Sequence, residues 1–513
     1  MALPPKWYQF LVCVFASLGS VLYGYDLGVI AEAIASPSLV NAFNVDSVKS
    51  GAVTSVFTGG AFFGAIFAGP LGDYAGRKRT ILVGAIIFLL GGGLQTGAQS
   101  INYLYAGRAI AGLGVGILVM IVPIYQAELA HPTIRGRITS LQQFMLGVGS
   151  LVAAWISWGT YINFADDDSR QWRISLGIQM VPAVFLAALI LLFPESPRWL
   201  IDHGRLDEGL QTLARLHAQG DINDTWVQAE FEQIRTSITL EHEAEAKSYT
   251  ELFTDPSCFR RLFLACSIQA ACQMTGVSAI QYFSTTIFKQ IGIATNDTLK
   301  YQGISSILAI IAQFCCLMLI DKTGRRWPQI IGNLVNCVFF VSDNHSDHPD
   351  CQVSPGSTHN NAASWAFIVM TWCYNFSFSS TIGPLTWIIC SEIFDTKTRS
   401  KGVSIATMTS FAFNTLIGQV TTVAIDRIGG WRFYILFCVC NFTNAIFFWL
   451  VLPETAQRPL EEMNDLFTHE PWIVPGTQTK KFRERSRLGN GLIMVEKEKR
   501  DHISLVHEEE MQV

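Results

Sequence analysis

Apolar positions run in long stretches along this chain, and charged positions fall in the gaps between them. A helix that crosses the hydrocarbon layer of a bilayer needs about 20 such residues. That measure predicts helices near 7–30, 49–69, 80–98, 103–126, 138–159 and 173–193, then near 259–288, 300–320, 328–342, 363–390, 401–425 and 432–452. The pattern divides the chain into a six-helix bundle (1–193), a charged loop (194–258), a second six-helix bundle (259–452) and a polar tail (453–513). Leu206, Leu210, Leu213 and Leu216 recur at helical spacing in the loop, which suits short helices lying under the bundles. The ninth helix is short and gives way at Ser342 to a polar run over 343–361, either an unusual external loop or an error in the gene reading.

Composition agrees: half of the 513 residues are hydrophobic, 15% are charged, and mean hydropathy is +0.31. This is an all-α polytopic membrane protein rather than a soluble globule. The net charge of −5 decides little, because the charges sit in loops and tails. Their distribution decides more. Arg77, Lys78 and Arg79 lie between helices two and three, Arg135 and Arg137 between four and five, Lys322, Arg325 and Arg326 between eight and nine, and Lys397, Arg399 and Lys401 between ten and eleven. These four short loops lie on one side, which basic residues mark as the cytoplasm. The opposite loops carry Glu32, Asp46, Asp166, Asp167 and Asp168. Both termini and the central loop are then cytoplasmic, and the run behind Lys6 is too long for a signal-peptide core. Most of the 12 Cys fall in apolar runs and read as small buried hydrophobes, with neither a disulfide framework nor a metal-ligand spacing.

Two features carry chemistry. Asp26 lies deep in the first apolar run and Arg108, in Gly107-Arg108, deep in the fourth. A carboxylate at that depth costs about 2.5–3.5 kcal/mol and marks an ion pathway by default; the alternative is a static pair that ties two helices. The second feature is repetition. Asp73-x-x-Gly76-Arg77 recurs as Asp321-x-x-Gly324-Arg325, the spacing from Glu128 to Arg135 recurs from Glu392 to Arg399, and Pro194-Glu195-Ser196 recurs as Pro453-Glu454-Thr455. Parallel repeats in this register indicate two pseudo-symmetric bundles with a substrate site near the midplane between them.

With Gly69 to Arg79, Gly107-Arg108, Glu128 through Arg137, Pro194 to Leu200, Gln273 to Gly276, Asp321 to Arg326, Ser391-Glu392 to Arg399 and Pro453-Glu454-Thr455, the chain resembles the sugar porter family of the major facilitator superfamily over about residues 7–465. The resemblance implies the major facilitator fold, with twelve transmembrane helices in two pseudo-symmetric bundles, and is closest in flavour to fungal hexose, pentose and polyol carriers. It implies a proton-coupling pair in Asp26 and Arg108. It implies sugar contacts at Gln143, Gln273 and Asn414, with Trp387 beside the substrate and Tyr282 and Phe283 at an outer gate. Amides suit the hydroxyls of a neutral sugar, although polar side chains in membranes also serve helix–helix hydrogen bonding. Asp73, Arg77, Glu128, Arg135, Glu195, Arg198, Asp321, Arg325, Glu392 and Arg399 are implied as a cytoplasmic gate that pairs across the bundle interface when the inside is closed. Each exposed pair contributes only about 0–1 kcal/mol, so a network is needed.

The departures from the family pattern bear on substrate. Cys272 stands at a family glutamine, Ser278 at an asparagine still assigned to the site, Ala309 at an asparagine, Ser379 at a carboxylate, and Ser410-Phe411 at an Asn-Trp pair. Glucose preference is thereby open to replacement by a pentose, another hexose, a polyol or a disaccharide. The expected activity is sugar:proton symport by alternating access at the plasma membrane, with a sugar, protons and the lipid bilayer as partners. Neither cofactor, metal nor nucleic acid is expected, and the carrier is expected to work as a monomer. The alternatives are a facilitative uniporter and a non-transporting sugar sensor. No nucleophile–base set or phosphate loop suggests an enzyme.

Topology has a direct test. Asn296-Asp297-Thr298 and Asn344-His345-Ser346 are glycosylation sequons on the external side, whereas Asn223-Asp224-Thr225 lies in the cytoplasmic loop. Glycosidase treatment of the protein from a eukaryotic host should shorten the first two sites' glycopeptides and leave Asn223 unmodified; glycan on Asn223 overturns the orientation.

Overall fold

Four of the membrane spans are broken part-way along, and the break in the seventh lies beside the polar centre of the molecule. The computed structural model describes residues 5–129, 135–244, 251–290, 293–346, 361–394, 398–428, 430–455, 466–468 and 471–475. The first span is α1 (Pro5–Ala16) and α2 (Leu18–Ala35), followed by a short α3 (Pro37–Phe43). Then come α4 (Ser47–Ala75), α5 (Arg77–Thr96), α6 (Ile101–Leu129), α7 (Arg135–Asn163) and the split sixth span, α8 (Arg170–Ile178) and α9 (Met180–Leu189). The connecting loop holds α10 (Pro197–Asp202), α11 (Leu206–His217), α12 (Thr225–Ala244) and α13 (Glu251–Thr254). The second half comprises α14 (Pro256–Met274) with α15 (Val277–Gln290), α16 (Thr295–Thr323), α17 (Arg326–Ser346), α18 (Asn361–Ser380) with α19 (Ile382–Ile393), α20 (Arg399–Ile428) and α21 (Gly430–Val451).

Nine stretches among the described residues are long and apolar enough to cross a membrane. With α17, α18–α19 and α20 they make the twelve-helix major facilitator fold. The starts follow local chemistry. Asp46 caps α4 by accepting from the Lys49 N–H (2.7 Å), and Asp255 caps α14 ahead of Pro256 by accepting from the Ser257 N–H (3.2 Å).

Sequence and structure differ at the end of the first span. The apolar run suggested a stop near residue 30 with Glu32 in a loop, but α2 continues to Ala35 and Glu32 is buried in it. One carboxylate lowers local hydropathy without interrupting the backbone ladder, and Glu has a good helix propensity. The ninth span is longer than expected, reaching Ser346, while most of the polar run 343–361 lies outside the described residues.

Backbone contact welds the N-terminal bundle. Gly60 and Gly64 on α4 face α6, where a Cβ would fall 2.3 Å from the Ala109 oxygen and 2.2 Å from the Leu113 oxygen. In return, a Cβ on Gly112 would meet the Phe57 oxygen at 2.0 Å, and one on Gly116 the Ala61 oxygen at 2.2 Å. Small residues four apart let two membrane helices approach this closely. A second seam joins α2 to α7, through Gly24 against Leu146 and Gly149 against Val21.

The bundles meet along α4–α20, α7–α16 and α2–α15. At the end away from the basic loops, two hydroxyls and an indole N–H stitch them together. Thr422 donates to the Ser47 oxygen (2.7 Å), Thr285 to the Ala31 oxygen (2.8 Å), and Trp158 Nε1 to Asn296 Oδ1 (3.0 Å). Under the opposite end, α10–α12 gather Ile201, Leu213, Val227, Phe231 and Ile238 into a small apolar cluster. Gln9 ties α1 to it by donating to the Leu216 oxygen (2.7 Å).

Candidate functional site

The break in span seven follows directly on Gln273. Gly276 takes φ +92°, a left-handed conformation that Gly adopts without strain, and a Cβ there would lie 2.8 Å from Phe340. The carbonyl freed at Thr275 accepts from Tyr374 Oη (3.1 Å) and Asn441 Nδ2 (3.1 Å). Irregular backbone at membrane depth needs such partners and is found where it is enclosed by protein or lines a cavity.

On the near side of the break, the Gln273 amide donates to Ser410 Oγ on α20 (3.0 Å) and accepts from Ser278 Oγ on α15 (2.6 Å). Two of the three serines that depart from the family pattern, Ser278 and Ser410, are therefore the partners of the glutamine that keeps it. Tyr282 and Phe283 follow on α15, both buried, with ring centroids 6.2 Å apart. Tyr282 neighbours Asn414, Tyr23 and Arg108. The Tyr23 ring on α2 meets Phe411 on α20 edge-on at 6.2 Å, closing the midplane between the bundles. Gln143 on α7 and Trp387 on α19 are half-buried. Tyr23 was missed at the sequence level, although it stands one turn ahead of Asp26 in the same motif. Gln313 was missed too: its Oε1 lies 2.1 Å from where a Cβ on Gly147 would sit, so it reaches from α16 to α7.

Behind Tyr23 and Tyr282 lies the buried pair. Arg108 Nη1 donates to both oxygens of Asp26 (2.6 and 2.8 Å), its Nε donates to the Val53 oxygen (3.1 Å), and the guanidinium lies over the Phe57 ring at 4.2 Å. Both side chains are wholly inaccessible. The pair joins α2, α4 and α6, and through Tyr282 it borders the second bundle.

The repeated loop motifs form two matching constellations. In the first, Arg77 grips Glu128 with two bonds (3.0 and 3.1 Å) and reaches Asp73 (3.3 Å), while Glu195 accepts from the N–H groups of Arg77, Lys78 and Ser196. In the second, Arg325 reaches Glu392 (3.2 Å), Thr455 donates to Glu392 (2.7 Å), and Glu454 accepts from the N–H groups of Arg325 (2.8 Å) and Arg326 (3.2 Å). Glu195 and Glu454 thus hold the first N–H groups of α5 and α17, where a carboxylate also meets the positive end of a helix. Gly76 and Gly324 leave room for them, since a Cβ would lie 2.5 Å from Glu195 Oε2 and 2.7 Å from Glu454 Oε2. Burial holds the Glu195 carboxyl above the usual range, against the opposing pull of its backbone donors and Arg77.

These pairs run inside each bundle; the gate reading places pairs across the interface only when the inside is closed. Arg399 donates to the Phe394 oxygen (3.3 Å) and Arg198 is half-buried at the start of α10; the side chains of Arg135 and Asp321 lie outside the described residues. Glu454→Ala should lower the midpoint of thermal unfolding in detergent by several degrees. It strands two N–H groups of buried residues, a loss of about 2–3 kcal/mol. Glu454→Gln, which keeps an acceptor, should lose less.

Two helical bundles enclosing a midplane site, with broken helices beside it and a buried ion pair next to it, define a membrane transporter of the major facilitator type. A family profile described as "Sugar (and other) transporter" matches residues 12–467, and the chain belongs to that family, the sugar porters of the superfamily. Among curated relatives, "MFS glucose transporter mfs1" of Aspergillus flavus is 33% identical over 89% of this chain and 89% of that protein. The quinate permease of Emericella nidulans is 30% identical over 93% and 92%, and the high-affinity glucose transporter of Kluyveromyces lactis is 29% identical over 94% and 91%. Among solved structures, the proton:xylose symporter XylE bound to 6-bromo-6-deoxy-D-glucose superposes with a TM-score of 0.76 at 23% identity, covering 90% of this chain and 100% of that one. That likeness concerns the fold.

Proposed function

We propose that this sugar transporter carries a neutral sugar or polyol in symport with protons, by rocking of the two bundles about the midplane site. The observation that carries the reading is the sealed Asp26–Arg108 pair, bordered through Tyr282 by Asn414 of the opposite bundle. A proton on Asp26 would loosen the pair, and motion of the second bundle would be felt there at once.

The relatives include carriers named for glucose and for quinate, which is an acid. Charge favours the neutral class. Around the midplane site the buried cation among the described residues is Arg108, and Asp26 already holds it. Arg260, Arg261, Arg325 and Arg326 lie at the ends of α14, α16 and α17. A carboxylate ligand would enter without a counter-charge, at a large desolvation cost. Facilitative uniport is the runner-up. The plasma membrane, cytoplasmic termini and a monomeric working unit complete the proposal.

The test is uptake of labelled pentoses, hexoses, polyols, disaccharides and quinate in a transport-null cell at several external pH values. Gln273→Ala should weaken apparent affinity for the carried sugar about two- to tenfold, since one hydrogen bond to a neutral ligand contributes about 0.5–1.5 kcal/mol. Unchanged affinity and selectivity in a well-expressed variant removes Gln273 from the site. Saturable uptake of quinate alone overturns the neutral class.

A further inference from the structure

Glu32 is a second buried carboxylate on the helix that carries Asp26. It lies about 9 Å further along α2 at 1.5 Å per residue. Its exposure is 2%, and among the described residues the side chain placed to bond its carboxyl group is the Ser157 hydroxyl. One turn earlier α2 is pressed on α7, where a Cβ on Gly28 would lie 2.9 Å from Ala153 and 3.1 Å from the Ser150 oxygen. The same face carries Glu32 against Ser157, a neutral hydroxyl that can donate to the carboxyl but cannot balance a charge on it. The other polar groups nearby are engaged: Thr160 donates to the Ser157 oxygen and contacts Ser175 Oγ, and Tyr25 Oη donates to the Ser175 oxygen.

Among the described residues no cation answers this carboxyl. On the elements packed against α2, Arg108 of α6 holds Asp26, Arg170 of α8 holds Asp168, and Arg173 of α8 donates to the oxygens of Thr96 and Ala98. Helices α3 and α9 carry no ionisable side chain. Tyr161 on α7 and Tyr282 on α15 bring phenols, as does Tyr25 on α2 itself, and the side chain of Lys289 lies outside the described residues. The basic residues of α7, Arg135 and Arg137, stand at its far end. An ionised carboxylate sealed among such neighbours is strongly disfavoured, and the neutral acid is the form that fits.

The second bundle touches this place. Thr285 of α15 donates to the oxygen of Ala31, the peptide that leads into Glu32 (2.8 Å). We infer that Glu32 is a second proton-binding carboxylate, separate from the Asp26–Arg108 pair and loaded as the outer faces of the bundles close on one another. With α15 withdrawn, water reaches this end of α2 and the group ionises. Closure requires the reverse, COO⁻ plus one proton to COOH, and reopening releases that proton to the same side. Glu32 therefore sets how closure depends on external pH, while Asp26 couples the gradient to the sugar. The inference rests on the alternating-access reading but not on symport.

The experiment is sugar exchange by the full-length protein in liposomes with the same pH on both sides, so that no gradient contributes. Exchange by the wild type should fall with rising pH, approaching tenfold per pH unit for one titrating group. Glu32→Gln, an amide of the same size that is never charged, should match the wild type at acid pH and exceed it at alkaline pH. Glu32→Asp should keep the fall. Should Glu32→Gln fail to reach the membrane, Ser157→Ala serves: removing the facing hydroxyl should move the midpoint of the fall to higher pH. A Glu32→Gln profile that superimposes on the wild type, or lies below it by one factor at every pH, overturns the inference, as does an unmoved midpoint in Ser157→Ala. Failure of symport would show elsewhere, as protonophore-insensitive uptake by the wild type, and would leave these profiles unchanged.

Discussion

Cells carrying Asp26→Asn should take up sugar only to its external concentration, at any pH, whereas the wild type accumulates it about a hundredfold or more. The magnitude follows from the driving force. One charge crossing 100 mV is worth about 2.3 kcal/mol, and one pH unit adds about 1.4 kcal/mol, which together exceed two decades of concentration. The location follows from the pair. Arg108 binds both oxygens of Asp26 in a wholly sealed place, so on the proposed symport the proton would compete with the guanidinium for the carboxylate. Asparagine keeps an oxygen for Arg108 but has no protonation step, and the link between gradient and bundle motion is cut. Exchange of labelled for unlabelled sugar should persist, because it needs no net proton movement. Uptake at acid and neutral pH, with and without a protonophore, decides the matter. Wild-type uptake indifferent to the protonophore and never above the external level leaves the uniporter.

Gly112→Val and Gly116→Val should each remove most of the protein from the membrane. A Cβ at these positions would lie 2.0 and 2.2 Å from carbonyl oxygens of α4, and no rotamer can relieve a clash with backbone. The helices must part, which also pulls the Val53 oxygen away from Arg108 Nε. A loss of about 4 kcal/mol or more is expected, at the far end of single-residue effects. Gly59→Ala and Gly93→Ala supply the contrast. Nothing lies within 4 Å of a Cβ at either position, and alanine favours the helix by about 1 kcal/mol, so both should express at or above wild-type level. Fluorescence-detected size exclusion and a thermal ramp in detergent report all four.

Much of the architecture was legible because bilayer thickness imposes a length on apolar runs, and twelve such runs can be counted. What failed was local. A window of hydropathy ends where the first acid appears, and Glu32 was read as a loop residue although its backbone never leaves α2. The repeats announced two equivalent bundles, but not that Glu195 and Glu454 would hold helix starts, because that requires segments more than a hundred residues apart to meet. The glycine seam left a trace, Gly60 with Gly64 and Gly112 with Gly116, each four apart. Only packing shows that these two faces meet. Gln273 could be singled out as an amide in an apolar run, yet its bond to Ser410 spans 137 positions that no periodicity reports.

That bond bears on the half of the cycle in which nothing is carried. A carrier must return unloaded, and an empty site lined with stranded amides would stall there. Ser410 and Ser278 hold the Gln273 amide from both sides, so on the proposed carrier cycle its hydrogen bonds are met without a ligand. On that proposal a sugar that takes over these bonds gains only their net worth, about 0.5–1.5 kcal/mol each. The vacant carrier, in turn, meets no added barrier on its way back.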